Sequence, residues 1–370
     1  MSLILKFLSF FFCIFFSADG LTSAPARTEK KVVYVYYWAD TIADETIEQF
    51  EKETGIKVVR SYYDSDEILE TKLLTKSSLY DVVMPSAMPY YGRQVELELY
   101  LPLDRTLLPN WKYLDPQILK LLEAVDPGNK YGIPYSWGTT GFAYNPAIME
   151  KFFPHIKLDT YQVILDPTIM EKLGRYGVGL LDQPQDLLEA FLAYLKIVPN
   201  YGDLTQIDTV KSLLKKIRPY IKFFTSNSEK MVSSLVNGEA AFVQMWSGEA
   251  LRAQKLAKEV GKEIKFVIPK EHAGAWCDLM AIPRNAPHPH SAHRFINFMM
   301  RPEIAAKNMK NTLMTIANAK VKDFLPSSMK NNPIVFPPKE VLDHLKLNEK
   351  LPLPYERKTI RMWAHVKAKQ

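Results

Sequence analysis

The sequence predicts an α/β protein built as two lobes, and three observations predict it. At 370 residues the chain is too long for one small domain and suits two α/β lobes. From residue 32 onward, strand-like runs alternate with helical patterns, the order that gives parallel sheets flanked by helices. Two extended stretches, Tyr135 to Asn145 and Trp276 to Ile282, stand outside this alternation and read as crossings between lobes.

The first element is not part of the fold. Lys6 precedes an apolar block from Phe7 to Phe16, and small residues follow at Ser17, Ala18 and Gly20. A charged start, a short hydrophobic run and a small-residue cleavage zone define a secretory signal peptide over residues 1–20. Cys13 sits behind three phenylalanines, without the small residues that a lipid-attachment cysteine needs.

The run Val32 to Tyr37 is β-branched and aromatic and reads as a buried strand. Ile42, Ile47 and Phe50 give the apolar side of a helix, which Gly55 ends. Ile56 to Arg60 resumes as a strand, so the crossover is right-handed and the strands parallel. A helix from Asp66 to Lys76 leads into a strand over Tyr80 to Met84. Residues 101–134 are rich in proline and turn residues. Beyond the first crossing come a helix at Leu187 to Leu195 and strands at Ala240 to Met245 and Ile264 to Ile268. Ala286 to Pro289 reads as a loop, since two close prolines break regular structure, and a buried helix face begins at Phe295.

Composition excludes some classes. The net charge of +6 is spread over the sequence, and its densest group, Lys358, Arg361, Lys367 and Lys369, has the spacing of a solvated helix face. A nucleic-acid partner is therefore not expected. Removing the signal leaves Cys277 as the one thiol, so no internal disulfide staples the fold. No cofactor is expected.

Open α/β sheets bind ligands beyond the carboxyl ends of their strands. Three acids stand beside tryptophans at such ends: Asp40 near Trp38, Glu249 near Trp246, and Asp278 near Trp276. The pairing suits an organic cation. A ring face attracts ammonium and excludes water, while a carboxylate supplies charge-assisted hydrogen bonds. One ion pair at about 4 Å is worth roughly 4 kcal/mol before desolvation at an effective dielectric near 20. Two carboxylates and two aromatic walls can thus hold a small dication at micromolar affinity, about −8 kcal/mol.

These residues carry a resemblance. The stretches Tyr37-Trp38-Ala39-Asp40, Phe50 to Val59, Asp81 to Ala87, Ile133 to Gly141, Trp246-Ser247-Gly248-Glu249, Trp276-Cys277-Asp278 and Phe295 to Pro302 closely resemble the periplasmic polyamine-binding proteins of ABC transporters, above all the putrescine branch. The similarity runs from about Val32 to Lys367. It implies the two-lobed periplasmic substrate-binding protein fold (type II) with the ligand in the cleft. The expected division is 28–140 plus 277–321 for the first lobe and 141–276 plus 322–370 for the second. It further implies a monomer in the periplasm that delivers a polyamine, putrescine or spermidine, to ABC permease subunits.

By the same resemblance Trp38, Trp246 and Trp276 are aromatic walls, Asp40 and Asp278 take the ammonium charges, and Ser86 bonds the ligand from the first lobe. Asp186 stands at the place of a ligand-contacting glutamate, with Asp182 one turn earlier, and Glu249 at the place of an aspartate. Ala39 replaces a serine or threonine, Thr41 a tyrosine and Ile316 an aromatic, which enlarges the expected pocket.

His288, His290 and His293 crowd together, but in a proline-rich loop they are expected to be exposed and unliganded, and Tyr62-Tyr63 and Tyr90-Tyr91 as iron phenolates leave the acids unexplained. A secreted two-lobed enzyme with Cys277 as nucleophile is the alternative function. Its sequence neighbour is a carboxylate, which raises a thiol's pKa rather than lowering it.

Overall fold

The computed structural model describes residues 29–75 and 79–368; the signal-peptide segment lies outside them. Among the described residues no helix is long and apolar enough to cross a membrane. The described residues form eleven strands: β1 Val32–Trp38, β2 Lys57–Tyr63, β3 Val82–Val83, β4 Gly132–Tyr144, β5 Val178–Leu181, β6 Phe223–Thr225, β7 Phe242–Trp246, β8 Lys265–Val267, β9 Ala273–Ala281, β10 Thr315–Ile316 and β11 Leu345–Lys346.

They form two sheets of similar plan. In the first, β1 pairs in parallel with β2 and β3, β9 lies antiparallel beside β3, and β4 follows β9. In the second, β5 pairs in parallel with β6 and β7, and β4 lies antiparallel between β7 and β8. The thirteen-residue β4 therefore belongs to both. Its first part, Gly132 to Thr139, pairs with β9, and its last part, Thr140 to Tyr144, pairs with β7. β4 covers most of the first stretch read as a crossing, and β9 most of the second.

Alternation along the strands explains the cores. Val33, Val35 and Tyr37 enter one cluster with Phe50 and Phe295, while Tyr36 faces another with Leu69 and Leu279. Period-2 side-chain direction in a strand covered on both faces requires this split. Phe50 meets Phe295 and Phe298 edge-on at 5.2 and 5.3 Å, and burying such a ring is worth about 1.5–3 kcal/mol. The second sheet divides likewise, with Phe142, Val178 and Leu180 on one side and Ala143 and Leu181 on the other.

The chain's last part departs from the expected division. Leu325 and Val335 are buried in the first sheet's core, and Leu342, Leu345 and Leu347 pack against its other face. The final helix, Leu353–Ala368, joins the second sheet, burying Tyr355, Met362, Trp363 and Val366. An apolar face decides where a segment docks, and residues 322–347 have theirs on the first lobe. The histidine loop is also corrected. Pro289 opens a helix, Pro289–Met299, because a proline's missing N–H costs nothing at a first helical position. His288 is half-buried and bound to Asp81, and His293 is buried, its Nε2 accepting the Asp104 N–H at 2.9 Å. His290 is exposed.

Candidate functional site

The carboxyl ends of the parallel strands converge where the two sheets share β4. From the first sheet, β1 delivers Trp38 and Asp40, β2 leads to Asp66, and β3 leads to Ser86. From the second, β7 delivers Trp246, which precedes the helix Ser247–Glu259 and its first-turn Glu249.

Register on β4 explains how the rest meet. Ser136 faces Asp278 on β9 and Ile316 on β10; Gly138 faces Trp276 on β9; Thr140 faces Trp246 on β7. Directly opposed residues point to the same side, and positions 136, 138 and 140 share a side. Asp278, Ile316, Trp276 and Trp246 therefore line one face of the strand that joins the lobes. Gly138 is required there, because a Cβ would lie 2.4 Å from both the Trp276 ring and Ser247 Oγ. Cys277, between Trp276 and Asp278, points the opposite way into the core and is 2% exposed.

Asp278 is the centre of the site. Ser86 Oγ donates to its Oδ1 and Ser136 Oγ to its Oδ2, each at 3.0 Å. Burial first, and Asp66 second, push its carboxyl up to about 7, with Glu249 adding to the shift and the two serines opposing it. Asp66 is itself buried and pushed up to about 6 by burial, although the Ser86 N–H donates to it at 3.1 Å. Glu249 is half-buried, raised by burial, and accepts from Ser228 Oγ at 3.0 Å. Asp66 and Glu249 thus both push Asp278 up, whereas Asp66 itself is raised by burial and by Glu67 and Glu70, and Glu249 by burial with Arg252 opposing. Such a group attracts positive charge and resists its own ionisation.

Aromatic groups border these acids. Trp38 packs on Tyr63 at 4.6 Å, and Tyr63 in turn is raised by burial, then by Asp66 and Asp278. The indole N–H groups of Trp38 and Trp276 are buried without a hydrogen-bond partner among the described residues. Asp40 is exposed on the turn after β1, with a left-handed φ of 62° that aspartate tolerates. Asp186 is half-buried and accepts a hydrogen bond from Asn348. Asp182 is not available in the way the sequence suggested. Lys367 Nζ meets its Oδ2 at 2.8 Å and the Trp363 indole donates to Oδ1 at 2.5 Å, so it anchors the final helix.

The structure thus joins Ser86, Asp278, Trp276, Trp246 and Glu249, sets Trp38 beside them through Tyr63, and leaves Asp40 exposed at the rim. Asp66, Ser136 and Tyr63 went unrecognised in the sequence. Asp66 looked like an ordinary acidic first turn of the helix Asp66–Leu74. Ser136 offered one signal: it lies in the crossing strand that the aligned motifs already marked.

Two lobes joined by a shared strand, with acids and indoles on the joining face, define a solute-binding architecture. The chain belongs to the bacterial extracellular solute-binding protein family, whose model matches residues 45–337. It is 38% identical over 354 residues to the putrescine-binding periplasmic protein SpuD of Pseudomonas aeruginosa, covering 95% of this chain and 96% of that protein. It is 37% identical to the putrescine-binding periplasmic protein PotF of Escherichia coli, covering 92% of each. Among solved structures, the spermidine/putrescine ABC transporter substrate-binding protein PotD of Streptococcus pneumoniae superposes with a TM-score of 0.77. Its sequence identity is 28%, over 91% of this chain and 99% of that one.

Proposed function

We propose that this protein captures a polyamine, with putrescine preferred, in the cleft between its lobes and delivers it to the permease subunits of an ABC importer. It works as a monomer in the periplasm, after loss of residues 1–20. The observation that carries the reading is a set of acids, Asp278, Asp66 and Glu249, in which burial and the other two acids push the Asp278 carboxyl up, beside the indoles of the joining face. A dication supplies the charge this set lacks, and its methylene chain suits ring faces. The relatives named for putrescine support the same substrate class.

In this reading Trp38, Trp246 and Trp276 flank the ligand, Asp278 and Glu249 take its ammonium groups, and Ser86 orients Asp278. Asp40 closes over the ligand from the rim, and Asp186 meets it from the second lobe. The lobes divide as 29–139 plus 273–347 and 140–272 plus 353–368, with the hinge in β4 and at the start of β9. Catalysis is not part of the proposal. The Cys277 thiol faces the core, and burial, then Asp278, push it well above the ordinary range, the reverse of an activated nucleophile.

Calorimetric titration of putrescine, cadaverine, spermidine and spermine against residues 21–370 tests the reading. Putrescine is expected to bind at least as tightly as spermidine, because Glu249 places a charge at one end of the pocket whereas the room left by Ile316 attracts nothing. Glu249→Ser should then weaken putrescine more than spermidine. Spermidine tighter by about tenfold, or roughly 1.4 kcal/mol, would reverse the assignment of substrate. Absence of heat with all four amines would remove it.

A further inference from the structure

The segment from Leu345 to Lys350 is a third link between the lobes. It is seated on the first. Leu342, Leu345 and Leu347 pack on that lobe's core, β11 pairs in parallel with Ala273 and Gly274 at the start of β9, and Lys350 forms an ion pair with Glu96. From that seat it reaches the second lobe at the first turn of the helix Pro184–Tyr194. Asn348 Nδ2 donates to Asp186 Oδ1, and the Glu349 carbonyl accepts from Gln185 Nε2 at 2.6 Å.

The chemistry of the first contact is specific. An amide gives Asp186 a hydrogen bond but no charge, and it occupies one oxygen only. Burial raises the Asp186 carboxyl and the Asn348 bond opposes that shift. The carboxylate is therefore held in orientation while its attraction for a cation remains. We propose that Asn348 is a positioning residue of the polyamine site: from a strap anchored on the first lobe, it fixes Asp186 of the second with one oxygen free for a ligand ammonium. This inference rests on the polyamine reading and adds that Asp186 is set only when the strap and the second lobe are together.

A double-mutant cycle in putrescine titrations tests it. Asn348→Ala is expected to weaken binding about tenfold or more, the scale of one hydrogen bond to a charged group. Asp186→Asn should weaken it at least as much, and the double variant should bind no worse than Asp186→Asn alone. Asn348→Lys, which neutralises Asp186 in place, should fall to the Asp186→Asn level. Melting temperatures identify any variant that is misfolded, and the lysine variant serves if the alanine variant is. Additive losses, or an Asn348→Ala variant with wild-type affinity, overturn the positioning role. If Asp186→Asn is silent while Asp278→Asn is damaging, the inference fails and the polyamine reading stands. A wild-type protein that binds no polyamine removes the reading itself.

Discussion

Replacing Asp278 by asparagine is expected to weaken putrescine binding by a hundredfold or more. The side chain keeps its shape, and Ser86 and Ser136 can both remain bonded, since a hydroxyl that donates at 3.0 Å can turn to accept from an amide. What is lost is the charge facing an ammonium in a dry site. Breaking such a pair costs about 3 kcal/mol or more, which is over a hundredfold in affinity. The free protein should respond in the opposite sense. Asp278 stands among Asp66 and Glu249, so removing its charge relieves repulsion, and the ligand-free variant should melt no lower than wild type at pH 7.5. Calorimetry and a melting curve check both halves. Equal affinity in the two proteins would mean that Asp278 is a structural acid and nothing more.

The second large effect is on pH. In the folded, ligand-free chain Asp278 titrates near 7 and Asp66 near 6, against ordinary values of 3.8. An ammonium beside them favours the charged forms, so binding expels protons wherever the free site still holds them. Affinity for putrescine should therefore be highest above pH 7 and fall by at least about tenfold between pH 7.5 and 5.5, close to one decade per pH unit per proton released. Stability of the free protein moves the other way. Between 3.8 and about 7 the folded state holds protons that the unfolded chain has lost. The stability these groups contribute is thus complete below that window and lost as pH rises through it. The increase in melting temperature on adding putrescine should be larger at pH 8 than at pH 5.5. Titrations in buffers of different ionisation enthalpy count the protons directly. A flat affinity profile with no proton release would show that these carboxyls do not meet the ligand.

What could be read from the sequence was local. The β-α-β units, the crossing strands and the tryptophan–acid neighbours each lie within a few residues, where period and turn chemistry suffice. Trp276 and Asp278 are two apart on one strand, so a shared face follows from the pleat alone. Contacts between distant segments were not legible. Ser86 and Asp278 are 192 residues apart, Asp186 and Asn348 162. Asp182 looked available beside Asp186 until Lys367, 185 residues away, claimed it. The prolines around His288 carry two meanings, loop or helix start, and only the packing of Phe295 and Ile296 on the first core separates them. Residues 322–347 lack a strong period, so their lobe is decided by where Leu325, Val335 and Leu345 find apolar surface.

The most direct test of the central claim is a crystal structure of the protein with putrescine bound. The account predicts the diamine between the lobes, one ammonium within about 3 Å of an Asp278 oxygen and the other toward Glu249. The rings of Trp38 and Trp276 should lie along its methylenes. A diamine held elsewhere, with Asp278 still bonded only to Ser86 and Ser136, would contradict it.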